Sequence, residues 1–189
     1  MLSPRAMTGR ERDIMTEAPQ AAAPPSPIAG LGIVAIIVAA IVGWAILGSA
    51  IVDELSLFGG FLMLWHYANI EQLDIKRLPA ALLGAIVGLV LAWQVVYLTQ
   101  LYGSTGTIIG LLVMVVGIYL QVINILPMLF NASAMLFLTV AAAPLVQLKV
   151  NFINLGISTV VGGLFFAGFI EAVKWIATKL MTPTASAAQ

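Results

Sequence analysis

One histidine, no cysteine and sixteen charged side chains are the whole acid–base and metal-binding stock of this 189-residue chain. His66 lies in Trp65-His66-Tyr67-Ala68-Asn69. Trp and Tyr favour the membrane–water interface, so one reading is an aromatic belt with a tolerated histidine. The other is a proton-sensitive group at a pore mouth. A zinc set needs more His, Cys or carboxylate ligands than stand near it, so no metal is expected. No nucleophile and base are paired, so no catalytic residue is assigned, no enzyme activity is expected and no cofactor is implied.

The remaining polar chemistry is uncharged. Gly59-Gly60 opens one short apolar segment, and Asn131-Ala132-Ser133 occupies the corresponding place in another. Short, Gly-broken segments in matching places point to a binding site in transporters, because helix ends inside the membrane expose backbone groups. The alternative is two shorter helices with packing glycines. Gln94, Asn131, Ser133 and Ser158 join His66, Gly59 and Gly60 as candidates for a solute path. Gly84-x-x-x-Gly88 and the set Gly156, Gly162 and Gly163 let backbones approach closely, because lipid supplies no hydrophobic drive between helices. That closeness serves packing within one chain, a dimer interface or a pore lining.

These residues sit in a chain that is 61% hydrophobic and 8% charged, with a mean hydropathy of +1.08. A soluble domain is roughly 25% charged. A cytosolic globular enzyme, a disordered chain and a disulfide scaffold are therefore excluded. Charges form islands: the first 17 residues, Asp53-Glu54, residues 71–77, Lys149, and residues 171–179. Six apolar segments lie between or across them, at about 28–52, 55–70, 78–101, 105–123, 128–146 and 150–177. A span needs roughly 20 apolar residues, and backbone groups inside a membrane must be satisfied internally. The expected fold is an all-α integral membrane protein with six transmembrane helices.

Residues 1–27, rich in Ala and Pro, are expected to be a disordered tail, with Met7 and Met15 as alternative starts. Residues 28–178 form the membrane domain and 179–189 a short C-terminal tail. A cleavable signal ending near Gly48-Ser49-Ala50 is the rival for the first segment, which is longer than the usual 7–15-residue core of such signals. With six spans, Arg5, Arg10, Arg12, Lys76, Arg77, Lys174 and Lys179 share one side and Lys149 stands on the other. Positive residues stay inside, so both termini are expected in the cytoplasm.

A shift of 72 residues places Leu57-Phe58 on Leu129-Phe130, Met63-Leu64 on Met135-Leu136, Arg77 on Lys149 and Leu83-Gly84 on Leu155-Gly156. Both halves, 28–99 and 100–171, read long segment, short segment, basic residue, Gly-containing long segment. Three spans per half forces opposite topologies, the inverted-repeat plan of many channels and carriers.

The segment 55–69 with its basic loop and Gly84-x-x-x-Gly88, followed by Leu126-Pro127 and a short fifth segment, resembles the YcdZ-like family. These are small multi-span bacterial inner-membrane proteins carrying a domain of unknown function. The resemblance covers about residues 30–174 and implies an inner-membrane location without any catalytic residue. This chain lacks the cysteines of some relatives and has a longer tail. The expected function is a channel or transporter for a neutral or weakly polar small solute, since a midplane carboxylate for proton coupling is missing. The alternative is a non-transporting scaffold or accessory subunit. The expected partners are the lipid bilayer, a small-molecule solute and, as an open alternative, further copies of the chain. No nucleic acid is expected.

Overall fold

The computed structural model describes residues 26–181. Residues 1–25 of the expected N-terminal tail and 182–189 of the C-terminal tail lie outside the described residues, and Pro27, expected in the tail, opens the first helix. Every regular element among the described residues is helical: α1 (Pro27–Ser49), a 3-10 turn (Glu54–Ser56), α2 (Phe58–Asn69), α3 (Leu78–Val122), α4 (Ala132–Ala141), α5 (Pro144–Lys149) and α6 (Phe152–Met181). Three of them, α1, α3 and α6, are long and apolar enough to cross a membrane. The chain is membrane-associated. It divides into two units, residues 1–37 and 38–189. Of the first, the opening turns of α1 are described, with Leu31, Ile33 and Val34 exposed.

The 45 residues of α3 are two helices, because Gly103 breaks the run at φ 58°, ψ −136°. A side chain there is strained, so glycine is required. The arms fold back on each other. Gln94 Nε2 donates to Gly110 O at 2.8 Å, sixteen residues away. Nearer the bend, the hydroxyls of Thr99 and Thr107 meet at 2.9 Å, eight residues apart. Separation that shrinks toward Gly103 defines an antiparallel hairpin. Gly106 and Gly110 press against the backbone of Leu98 and Val95 in the opposite arm. The sequence places a break at the same glycine, between segments 78–101 and 105–123.

The short α2 runs parallel to α6. Asn154 Nδ2 donates to Asp53 Oδ2 at 2.7 Å. Ser158 Oγ donates to Leu57 O at 3.3 Å, and Gly60 N donates to Ser158 Oγ at 3.1 Å. Lys174 Nζ donates to Leu73 O at 2.8 Å. Each partner lies 98 to 101 residues ahead. Constant separation means parallel chains. Helix α6 thus serves as a ruler: from Asn154 to Lys174 it rises about 30 Å, the thickness of a hydrocarbon core. The segment from Asp53 to Leu73 covers that same distance although its helix has only 12 residues.

The short α4 runs parallel to the first arm of α3 in the same way. Asn131 Nδ2 donates to Ala80 O at 2.9 Å, Gly84 abuts the Asn131 amide and Gly88 abuts the Ala134 backbone. These pairs lie 46 to 51 residues apart. The expected fifth segment, 128–146, is divided. Pro144 has no N–H and follows Ala143 in extended conformation, so α4 ends and the six-residue α5 begins.

The largest buried cluster joins these pairs: Met63 and Tyr67 of α2, Ala85 and Ala92 of α3, Phe137 of α4 and Leu155 of α6. A second cluster is built on Trp44, fully buried against Phe166.

Candidate functional site

The expected solute-path residues fall into four places. Gly59, Gly60 and Ser158 come together where α2 crosses α6. A Cβ on Gly59 would meet the Thr159 hydroxyl and the Leu155 backbone. Gly60 lies under the Trp44 ring and against Gly162. Ser158 is fully buried and its hydroxyl both donates and accepts. Trp44 Nε1 donates to Leu57 O at 3.2 Å, which ties α1 to the same point.

Asn131 and Ser133 lie at the start of α4. The Asn131 carboxamide caps that helix, accepting from Ala134 N at 3.1 Å. Such a cap satisfies one of the donors that every helix start leaves orphaned. Ser133 is fully buried and its hydroxyl has no partner. Gln94 is elsewhere, stapling the α3 hairpin. Its amide donates to Leu91 O at 3.1 Å as well as to Gly110 O.

His66 lies in the last turn of α2 and is buried. Its Nε2 lies 3.2 Å from Glu71 Oε1, and its Nδ1 has no partner. Glu71 also faces Arg77 at 3.7 Å, and Arg77 reaches Asp74 at 3.8 Å. The neighbouring Tyr67 hydroxyl is likewise buried without a partner. Between them, Gln72 and Leu73 adopt positive φ, 54° and 58°. The Lys174 ammonium holds the Leu73 carbonyl while pairing with Glu171 at 2.7 Å. At the opposite end of the bundle, the Asn154 amide and then the Ser56 hydroxyl hold the Asp53 carboxyl below its ordinary value.

Of the expected packing glycines, Gly84, Gly88 and Gly162 meet backbone or amide atoms, and Gly163 meets Leu82 and Met63. Gly156 differs, with only Ile86 Cδ1 nearby, at 3.8 Å from a Cβ built on it. It floors a groove of about 580 Å³ between the first arm of α3 and α6. Ile86, Val90 and Trp93 form one wall, and Ile153, Gly156 and Val160 the other. Trp93, Phe152 and Ile153 also border a smaller lobe of about 270 Å³, which is lined by Gln100, Gln147 and Asn151. Trp93 stacks on Tyr97 at the junction, centroids 5.0 Å apart.

Of the residues singled out as site or packing residues, the groove contains Gly156. Its walls are ordinary Ile, Val and Trp, which a uniformly apolar sequence does not distinguish from lipid-facing positions. Gln100, Gln147 and Asn151 carry the one usable signal, uncharged polar residues at segment ends. Among the described residues no group of three or more His, Cys, Asp or Glu could hold a metal ion. The chain matches no family model, no curated protein and no solved structure.

Proposed function

We propose that this chain is a six-pass inner-membrane channel or transporter for a neutral or weakly polar small solute, with both termini cytoplasmic and two inverted three-helix halves. One observation carries the reading: each short helix packs in parallel on a long helix of the other half. The two packings correspond at a shift of 74 residues. Helices α2 and α4 start 74 residues apart, at Phe58 and Ala132, and so do α3 and α6, at Leu78 and Phe152. At this shift the Gly60–Gly162 contact becomes the Ala134–Gly88 contact. The buried Met63, Ala81, Ala85 and Ala92 become the buried Phe137, Leu155, Thr159 and Phe166. The sequence favours 72, two residues short.

In transporters built from inverted repeats, solute sites lie at the interface of the repeats. The buried, unpartnered Ser133 hydroxyl is a polar group at that interface in reach of such a role. The 71 uncharged residues between Arg77 and Lys149 favour an uncharged solute. The resemblance to the YcdZ-like family belongs to the same proposal.

The test is stopped-flow light scattering on liposomes holding only this protein, challenged with urea, glycerol and larger polyols. The reading requires at least one solute to equilibrate about tenfold faster than in empty liposomes. Rates equal to those of empty liposomes, with correctly inserted protein, reject it. The scaffold reading then takes its place. It draws on an exposed stripe on the second arm of α3: Ile108, Leu112, Val115 and Tyr119, at helical spacing. It predicts a stable partner on purification and no flux.

A further inference from the structure

We infer that the groove between the first arm of α3 and α6 is a binding site for one glycerophospholipid, its acyl chain in the apolar lobe and its headgroup in the polar lobe. The inference rests on the six-pass reading only for naming the leaflet, the one on the Gly103 side. The two lobes share Trp93, Phe152 and Ile153, so they form one amphipathic trough. Along α6 the apolar lobe runs from Phe152 to Val161. At 1.5 Å per residue this is about 15 Å, half of a hydrocarbon core about 30 Å thick. One leaflet of acyl chain has that length.

The polar lobe lies where a headgroup belongs. Gln100 is three residues before the Gly103 bend, and Gln147 and Asn151 flank Lys149. Asp53, bonded to Asn154 at the start of α6, marks the same boundary. The stacked Trp93–Tyr97 pair at the junction has the amphipathic character of interfacial aromatics. Gly156 supplies depth: a side chain there points into the trough and meets little else. The volume, about 580 Å³ for the apolar lobe, is in the range of ligand sites, roughly 300–1,000 Å³. The lining carries amides rather than charges, which suits the zwitterionic head of phosphatidylethanolamine.

The experiment is native mass spectrometry of the full chain after detergent exchange and incubation with phosphatidylethanolamine. The parent should retain one lipid per chain. Gly156→Phe fills the trough and should lower retention about tenfold with an unchanged melting midpoint. Val115→Phe, on the exposed stripe of the second arm, should retain lipid like the parent. If Gly156→Phe does not fold, the double change Gln100→Leu and Gln147→Leu leaves the apolar lobe intact and should still weaken retention. Equal retention by parent and either folded groove variant overturns the site. So does a second copy in the trough, seen as Ile157→Cys cross-linking between chains with lipid retention unaffected. Lipid retention is read without any flux, so it stands or fails apart from the transport proposal.

Discussion

The two short helices solve one packing problem with different residues. At α2, the crossing with α6 is sealed by Trp44, whose ring covers Gly60 and Gly162, and by the Ser158 hydroxyl, which satisfies the backbone at both Leu57 and Gly60. At α4, the atoms nearest Gly88 at the corresponding contact are backbone atoms of Ala134 and Leu138. Gly84 and Gly88 admit the Asn131 amide and the Ala134 backbone directly, and Asn131 supplies the cap. Both sides use missing side chains, and the α2 side adds a large side chain and a hydroxyl. The α4 side also leaves the Ser133 hydroxyl unsatisfied. On the proposed two-half reading, similar geometry from dissimilar residues accounts for sparse identity at the 72-residue shift beside a shared order of element lengths.

The comparison breaks most severely at Gly88. Gly88→Leu drives a side chain into the Ala134 carbonyl, where only backbone movement gives relief, and Gly84→Leu displaces the cap. Overpacking typically costs about 1–3 kcal/mol and more where backbone must move. Both variants should purify poorly or melt far below the parent. Parent-like melting by both removes the close-packing account.

Trp44→Ala tests the α2 side, where a ring lies over the Gly60–Gly162 contact. Truncating a buried aromatic costs about 3–5 kcal/mol in soluble cores. The loss should be visible as a lower melting midpoint with the fold retained. An unchanged midpoint would show that Trp44 seals nothing.

Asn131→Leu sharpens the contrast at the cap. The loss of the cap costs about 1 kcal/mol, and the Ala80 bond is lost with it. This substitution is therefore not neutral for the fold, and a fall in flux would not by itself identify a solute contact. Ser133→Ala is the cleaner probe. It removes a hydroxyl without a partner, so stability should hold or rise by about 1 kcal/mol. A marked loss of stability would mean that the hydroxyl is bonded after all.

The smallest effect concerns Asp53. Its carboxyl is held low by the Asn154 amide, then by Ser56. A lowered folded pKa contributes stability above the ordinary carboxylate value of about 4, and loses it as pH falls through the folded value. Asn154→Ala should melt slightly below the parent at neutral pH, and the gap should close in acid. A gap that widens on acidification reverses the assigned sign.

Most apolar segments were legible because charges, Gly or Pro bound them: Leu78-Pro79 opens α3 and Gly103 bends it, whereas the expected fifth segment runs past Pro144, where the chain divides into α4 and α5. The close-packing role of Gly84 and Gly88 was legible from their four-residue spacing. What they pack against was not, since parallel pairing of a short helix on a distant long one leaves no periodicity in an all-apolar chain. Asn131 resembled a solute ligand because its capping role depends on where α4 begins. Gln94 likewise resembled a pore residue, and its partner at Gly110 appears only when the hairpin folds. The groove was silent in the sequence because shape, rather than residue type, distinguishes it.

The central claim is that both short segments cross the membrane, making two inverted halves. Single cysteines at Gln72, Ser104, Ile125 and Gln147 in this Cys-free chain test it with an impermeant maleimide in intact cells. Six crossings predict that Ser104→Cys and Gln147→Cys label from outside, while Gln72→Cys and Ile125→Cys label only after permeabilisation. Labelling of Gln72→Cys together with Ser104→Cys from outside would contradict the account, because α2 would then return to the side it came from.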